Sequence, residues 1–77
     1  MRGRNNIMKV IVRNDVRRLM FIKGYNIKDF AEKIGVSTTY FSQILSQKRN
    51  PSPAVAKKIA QELESDIETL FHIKEEE

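Results

Sequence analysis

The chain has 77 residues, 40% hydrophobic and 31% charged, which suits one small folded domain and excludes a disordered chain. It holds no cysteine, so no disulfide framework or thiolate metal site is available. No apolar run approaches the roughly 18 residues of a membrane span and no signal-peptide pattern is present, so a reducing, cytoplasmic setting is expected. The net charge of +4 divides into +6 over residues 1–24, +2 over 25–50 and −4 over 51–77. That asymmetry presents a basic side to a polyanion and keeps the acidic end elsewhere, although chance clustering on a solvated surface is the plainer alternative.

In chain order, residues 1–6 read either as a native basic arm or as an expression remnant, and Met8 offers an alternative start. Ile7–Val12 is rich in β-branched residues, with Met8, Val10 and Val12 on one alternating face, and predicts a strand. Asn14 or Asp15 should cap a first helix that runs to about Lys23, with Val16, Leu19 and Met20 inward and Gly24 ending it. Asn26 should cap a second helix, where Asp29 suits the helix dipole. Ser37 begins a third, ending near Gln47. Asn50-Pro51-Ser52-Pro53 is the clearest break. Ser52 then caps a fourth helix, with Pro53 at its first position and Val55, Ile59, Ala60 and Leu63 buried, ending near Glu64. Ser65 or Asp66 caps a short fifth helix carrying Ile67, Leu70 and Phe71. Phe71 and Ile73 alternate with His72 and Lys74, so a terminal strand could pair antiparallel with the first, or across a dimer.

The segment from Asn26 to Ser52 carries the most information. Ala31 is small enough for a second helix to pass close by, and Gly35 can take the left-handed conformation that turns the chain. Val36 plugs the angle between the helices, and Phe30, Ile34, Phe41, Ile44 and Leu45 share one core at helical spacing. This is the anatomy of a helix-turn-helix. The runs F-A-E-K-I-G-V-S at Phe30–Ser37, Y-F-S-Q-I at Tyr40–Ile44 and K-R-N-P-S at Lys48–Ser52 resemble the lambda repressor/Cro-like (Xre-like) family. The similarity extends more weakly from about Asp15 to Phe71. The chain departs from the family's usual pattern at Ile27, where a DNA-contacting Gln is common, and at Gln47, where Gly is common.

The resemblance implies an all-α fold, a bundle of about five helices around a central helix-turn-helix, to which short terminal β-strands can be added. The expected organisation is a basic arm and strand over 1–12, a DNA-binding domain over 13–74 and an acidic tail over 75–77. With Phe41, Ile44 and Leu45 turned inward, Thr38, Thr39, Ser42 and Gln43 share the outward face. Carried over from the family, these positions meet base edges in the major groove. Gln43 matches the N6/N7 pair of adenine, and the threonines suit the thymine methyl. Short polar residues on a solvated face are the plainer reading. Arg17, Lys28, Ser37, Tyr40, Lys48 and Arg49 are the expected phosphate contacts, with Arg13, Arg18 and Lys33 as further candidates; Tyr40 reads equally well as a partly buried aromatic. Arg17 and Arg18 point about 100° apart, so only one of them can be central.

No catalytic constellation is present. His72 is the only histidine, and neither a phosphate-cradling Gly-rich loop nor a metal-ligand cluster appears, so no enzyme, metal or cofactor is expected. The leading expectation is a sequence-specific transcriptional regulator of double-stranded DNA, a small repressor of phage or mobile-element type. An antitoxin that binds a toxin and its own promoter is one alternative; a protein-bridging module is another. Because one such unit covers few base pairs, a homodimer is expected. Phe21, Phe71 and Ile73 are its candidate interface residues, since they fall outside the small core that the helices need.

Overall fold

Two strands from opposite ends of the chain bracket five helices in the computed structural model, which describes residues 7–76. The elements are β1 (Ile7–Val12), α1 (Asn14–Ile22), α2 (Ile27–Ile34), α3 (Thr38–Leu45), α4 (Pro53–Glu62), α5 (Ile67–Leu70) and β2 (Phe71–Glu76). The basic arm expected over residues 1–6 lies outside the described residues.

Side-chain caps start four of the helices. Asn26, Ser37, Ser52 and Asp66 accept the backbone N–H of Asp29, Tyr40, Val55 and Thr69 at 2.7, 3.0, 3.2 and 2.7 Å. The first helix differs from expectation. Neither Asn14 nor Asp15 caps it; the cap position belongs to Arg13, whose side chain takes no part. The reason lies in the sheet: the Arg13 amide donates to the Leu70 carbonyl at 2.8 Å, so strand pairing runs straight into the helix.

Each of the first four helices closes in the same way. The residue after the last turn takes a left-handed φ, and the next amide reaches back five residues, a Schellman closure. Gly35 (φ 80°) is one such position: Val36 N–H donates to Ala31 O at 3.0 Å and Gly35 N–H to Glu32 O at 3.2 Å. Gly24 plays this part after α1, whereas Gln47 (φ 67°) and Glu64 (φ 56°) fill it after α3 and α4. These closures absorb the residues that place the ends of α3 and α4 earlier than the expected Gln47 and Glu64.

Apolar side chains from every helix meet in one core that includes no charged or polar residue among those described. Phe30 of α2 and Phe41 of α3 are fully buried, with ring centroids 5.1 Å apart, so the two helices of the turn share one aromatic contact. Ala31 is fully buried at the crossing, and Val36 packs half-buried against the core. In α4 the first buried residue is Ala56 rather than Val55, which sits half-exposed at the core's edge.

β1 and β2 pair antiparallel within the chain, from Ile7 opposite Glu76 to Val12 opposite Phe71. Val10 and Val12 rest on the core, which supports a two-stranded sheet that would be marginal alone. Two expectations change here. Phe71 belongs to β2 rather than α5, and it is 2% exposed because its strand position turns it inward opposite Val12. Glu75 and Glu76 continue β2 instead of forming a separate tail, since they are the partners of Met8 and Ile7.

Candidate nucleic-acid interface

The outward face of α3 stands on its buried face. Phe41, Ile44 and Leu45 are at most 6% exposed, so the helix cannot roll, and Thr38, Thr39 and Ser42 are held in solvent with Gln43 half-exposed beside them. The side chains of these four polar residues bond nothing else in the described chain. Their hydrogen-bonding groups are therefore available to a ligand. An α-helix with such a face fits the width of a DNA major groove.

An open, largely apolar cleft borders this face where α1, α2 and α3 approach one another. Phe21 and Ile27 form its walls, Met20 and Tyr25 its floor, Thr38 and Ser42 its α3 side, and Arg17 and Lys28 its charged rim. No acidic residue lines it. Arg17, rather than Arg18, is thus the first-helix arginine gathered beside α3. The Tyr25 hydroxyl donates to Glu62 Oε2 at 2.6 Å, and its ring meets Phe30 edge-on at 5.1 Å. The adjoining carboxylate raises the Tyr25 pKa, first through this hydrogen bond, because ionising the phenol would remove the donor and set two negative charges together.

At the other end of α3, Lys48 and Arg49 are exposed in the loop toward α4. The Arg49 guanidinium lies 5.3 Å from the centre of the half-buried Tyr40 ring, a cation–π distance that holds two expected phosphate contacts together. The loop is fixed on both sides by a connection that the sequence did not reveal. Gln47 bonds both backbone groups of Val12, and Asn50 Oδ1 accepts the Val10 N–H at 3.3 Å. The one available signal was Gln47 itself, a side chain where Gly is the usual choice.

Not every candidate joins this surface. Arg13 borders a separate depression with Glu68, Phe71, His72 and Ile73, and Lys33 another with Lys58 and Glu62. The only ion pair among the described residues, Lys23–Glu64 at 3.1 Å, also lies apart from it. Arg17, Lys28, Lys48 and Arg49 are left without carboxylate partners, a distribution suited to phosphates. Ser37 Oγ accepts the Tyr40 amide, which leaves its own proton free to donate.

A family model described as helix-turn-helix matches residues 17–70, which include Arg17, α2, α3 and the Lys48–Arg49 loop. The chain belongs to the Xre/Cro-like helix-turn-helix family. Members are DNA-binding transcriptional regulators and not enzymes. The fold is similar to the crystal structure of the transcriptional regulator VanUg, at 25% identity and a TM-score of 0.70, over 95% of this chain and 100% of that one. No curated protein matches the sequence. No helix among the described residues is long and apolar enough to cross a membrane.

For this helix-turn-helix protein, the three residues expected at a dimer interface do not form one patch. Phe71 is in the core, and Ile73, 43% exposed on β2, borders the same depression as Phe71. Phe21, 86% exposed, stands apart from both in the cleft beside α3.

Proposed function

We propose that the protein is a small repressor of phage or mobile-element type that reads an operator with the outward face of α3. Thr38, Thr39, Ser42 and Gln43 meet base edges, and Arg17, Lys28, Ser37, Tyr40, Lys48 and Arg49 hold the flanking phosphates. The observation that carries this reading is the pairing of four unbonded polar side chains on α3 with cations that have no carboxylate partner. Phosphate contacts fix the register and base contacts supply the sequence preference. Bound there, the protein obstructs RNA polymerase. Its place of work is the cytoplasm, where its DNA is.

The repressor works as a homodimer, joined through Ile73 and β2. The outer edge of β1 is covered by Gln47 and Asn50, whereas no side chain among the described residues bonds the outer edge of β2. An uncovered strand edge is a template for another strand, and a second copy supplies a symmetric one. Selection from random-sequence duplexes, followed by sequencing of those retained, tests both parts. The expected product is an inverted repeat with half-sites about 34–36 Å apart. Retention without any shared sequence would overturn base reading, and a single unrepeated site bound by a monomer would overturn the dimer.

A further inference from the structure

We infer that the apolar cleft between α1, α2 and α3 seats one strand of the DNA backbone, with deoxyribose packed on Phe21 and Ile27 between the phosphates held by Arg17 and Lys28. The inference rests on the DNA-binding reading above and assigns Phe21 and Ile27 a part in it. Phe21 is 86% exposed, so a ligand that covers it removes a large apolar surface from water. A second copy is the obvious occupant, but the surroundings of Phe21 point elsewhere. The cleft is continuous with Thr38 and Ser42, the first residues of the α3 reading face. Its rim carries two cations and no acid. A symmetric partner placed here would bring Arg17 and Lys28 of both copies together and block α3, whereas a sugar–phosphate strand neutralises both cations and leaves α3 in its groove.

The chemistry also suits Ile27, whose half-buried side chain lines the cleft with Phe21. Deoxyribose presents an apolar C–H face between successive phosphates, and an aliphatic wall beside an aromatic one complements it. Contacts of this kind displace little counterion, so they add affinity without adding salt dependence. That property separates them from Arg17 and Lys28.

The test compares wild type with Phe21→Ala, Phe21→Leu and Lys28→Ala on the duplex that wild type selects from a random pool, at several salt concentrations. Sedimentation of each protein without DNA runs alongside. Phe21→Ala should bind roughly tenfold more weakly with an unchanged salt slope, Phe21→Leu should recover most of the loss, and Lys28→Ala should flatten the slope by up to about one unit. Self-association should be the same for all. Full affinity in Phe21→Ala would overturn the inference while leaving DNA binding intact. Weakened self-association in Phe21→Ala would assign the cleft to a second copy instead. If wild type itself retains no duplex, the DNA-binding reading fails first and the inference with it.

Discussion

The side-chain amide of Gln47 spans both backbone groups of Val12: its Nε2 donates to the Val12 carbonyl at 3.0 Å, and its Oε1 accepts the Val12 N–H at 3.3 Å. The residue that closes α3 therefore also serves as a short substitute strand along β1. Asn50 Oδ1 accepts the Val10 N–H, so the Lys48–Arg49 segment is held at both ends against the sheet. A loop that would otherwise move is fixed beside its expected phosphates. Gln47 bears a left-handed φ of 67° for this, a conformation that disfavours a Cβ by about 1 kcal/mol.

Gln47→Gly relieves that strain but removes two hydrogen bonds, each contributing about 0.5–1.5 kcal/mol. The loss should exceed the gain slightly, lowering the melting temperature by a few degrees, and affinity for DNA should fall as the loop loosens. Glu64→Gly is the control, because Glu64 has the same backbone strain (φ 56°) and only the exposed ion pair to Lys23 to offset it. Such pairs contribute about 0–1 kcal/mol. Glu64→Gly should leave the melting temperature unchanged or raise it. Thermal unfolding of both variants checks the contrast in sign, and a larger loss in Glu64→Gly than in Gln47→Gly would refute it.

Lys9 and Lys74 are directly opposite in the β1–β2 pairing, and both are exposed. Like charges at that spacing repel, while opposite charges contribute about 0.2–1 kcal/mol. Lys74→Glu should therefore raise stability, and the double variant Lys9→Glu with Lys74→Glu should lose the gain. Urea unfolding of the single and double variants measures it.

Gln43→Ala should weaken binding to the selected duplex by about 1–3 kcal/mol and relax preference at one base position. Replacing Lys48 and Arg49 by Ala should instead weaken selected and random duplex alike, flattening the salt slope by up to about one unit per lost contact. Titrations across salt concentration distinguish the two outcomes. An unchanged site preference in Gln43→Ala would remove it from base reading.

Two groups make stability depend on pH, in opposite directions. Asp66 caps α5 by accepting the Thr69 amide, and hydrogen bonds from Thr69 lower its pKa. Its contribution is present above the unfolded aspartate pKa and is lost as pH falls through the lower folded value. The Tyr25 pKa is raised by its hydrogen bond to Glu62, so that contribution is present below the unfolded tyrosine pKa and is lost as pH rises through the folded one. Asp66→Asn should blunt the acid loss and Tyr25→Phe the alkaline loss, each followed by melting temperature against pH.

Ile73→Asp places a charge on the uncovered edge strand. It should weaken self-association while leaving the fold intact, since Ile73 is exposed and at the end of the core-facing row. Sedimentation with and without the selected duplex reads the effect, and unaltered association would remove β2 from the interface.

The helix-turn-helix was legible in the chain because its requirements are local. Ala31, Gly35, Val36 and Ser37 each meet a steric or hydrogen-bonding demand set by residues within a turn or two, and Phe30 and Phe41 follow from helical periodicity. Asn26 and Ser52 could be recognised as caps for the same reason. What only the tertiary structure decided involves partners distant in sequence. The start of α1 depends on Leu70, the inward turn of Phe71 on its place opposite Val12, and the loop after α3 on a Gln47 bond spanning 35 residues. Phe21 shows the same division. Helical spacing marked it as outside the core, but which surface it joined depended on how α1 crosses α2 and α3, because a side chain's neighbours across a helix crossing are set by packing and not by its place along the chain.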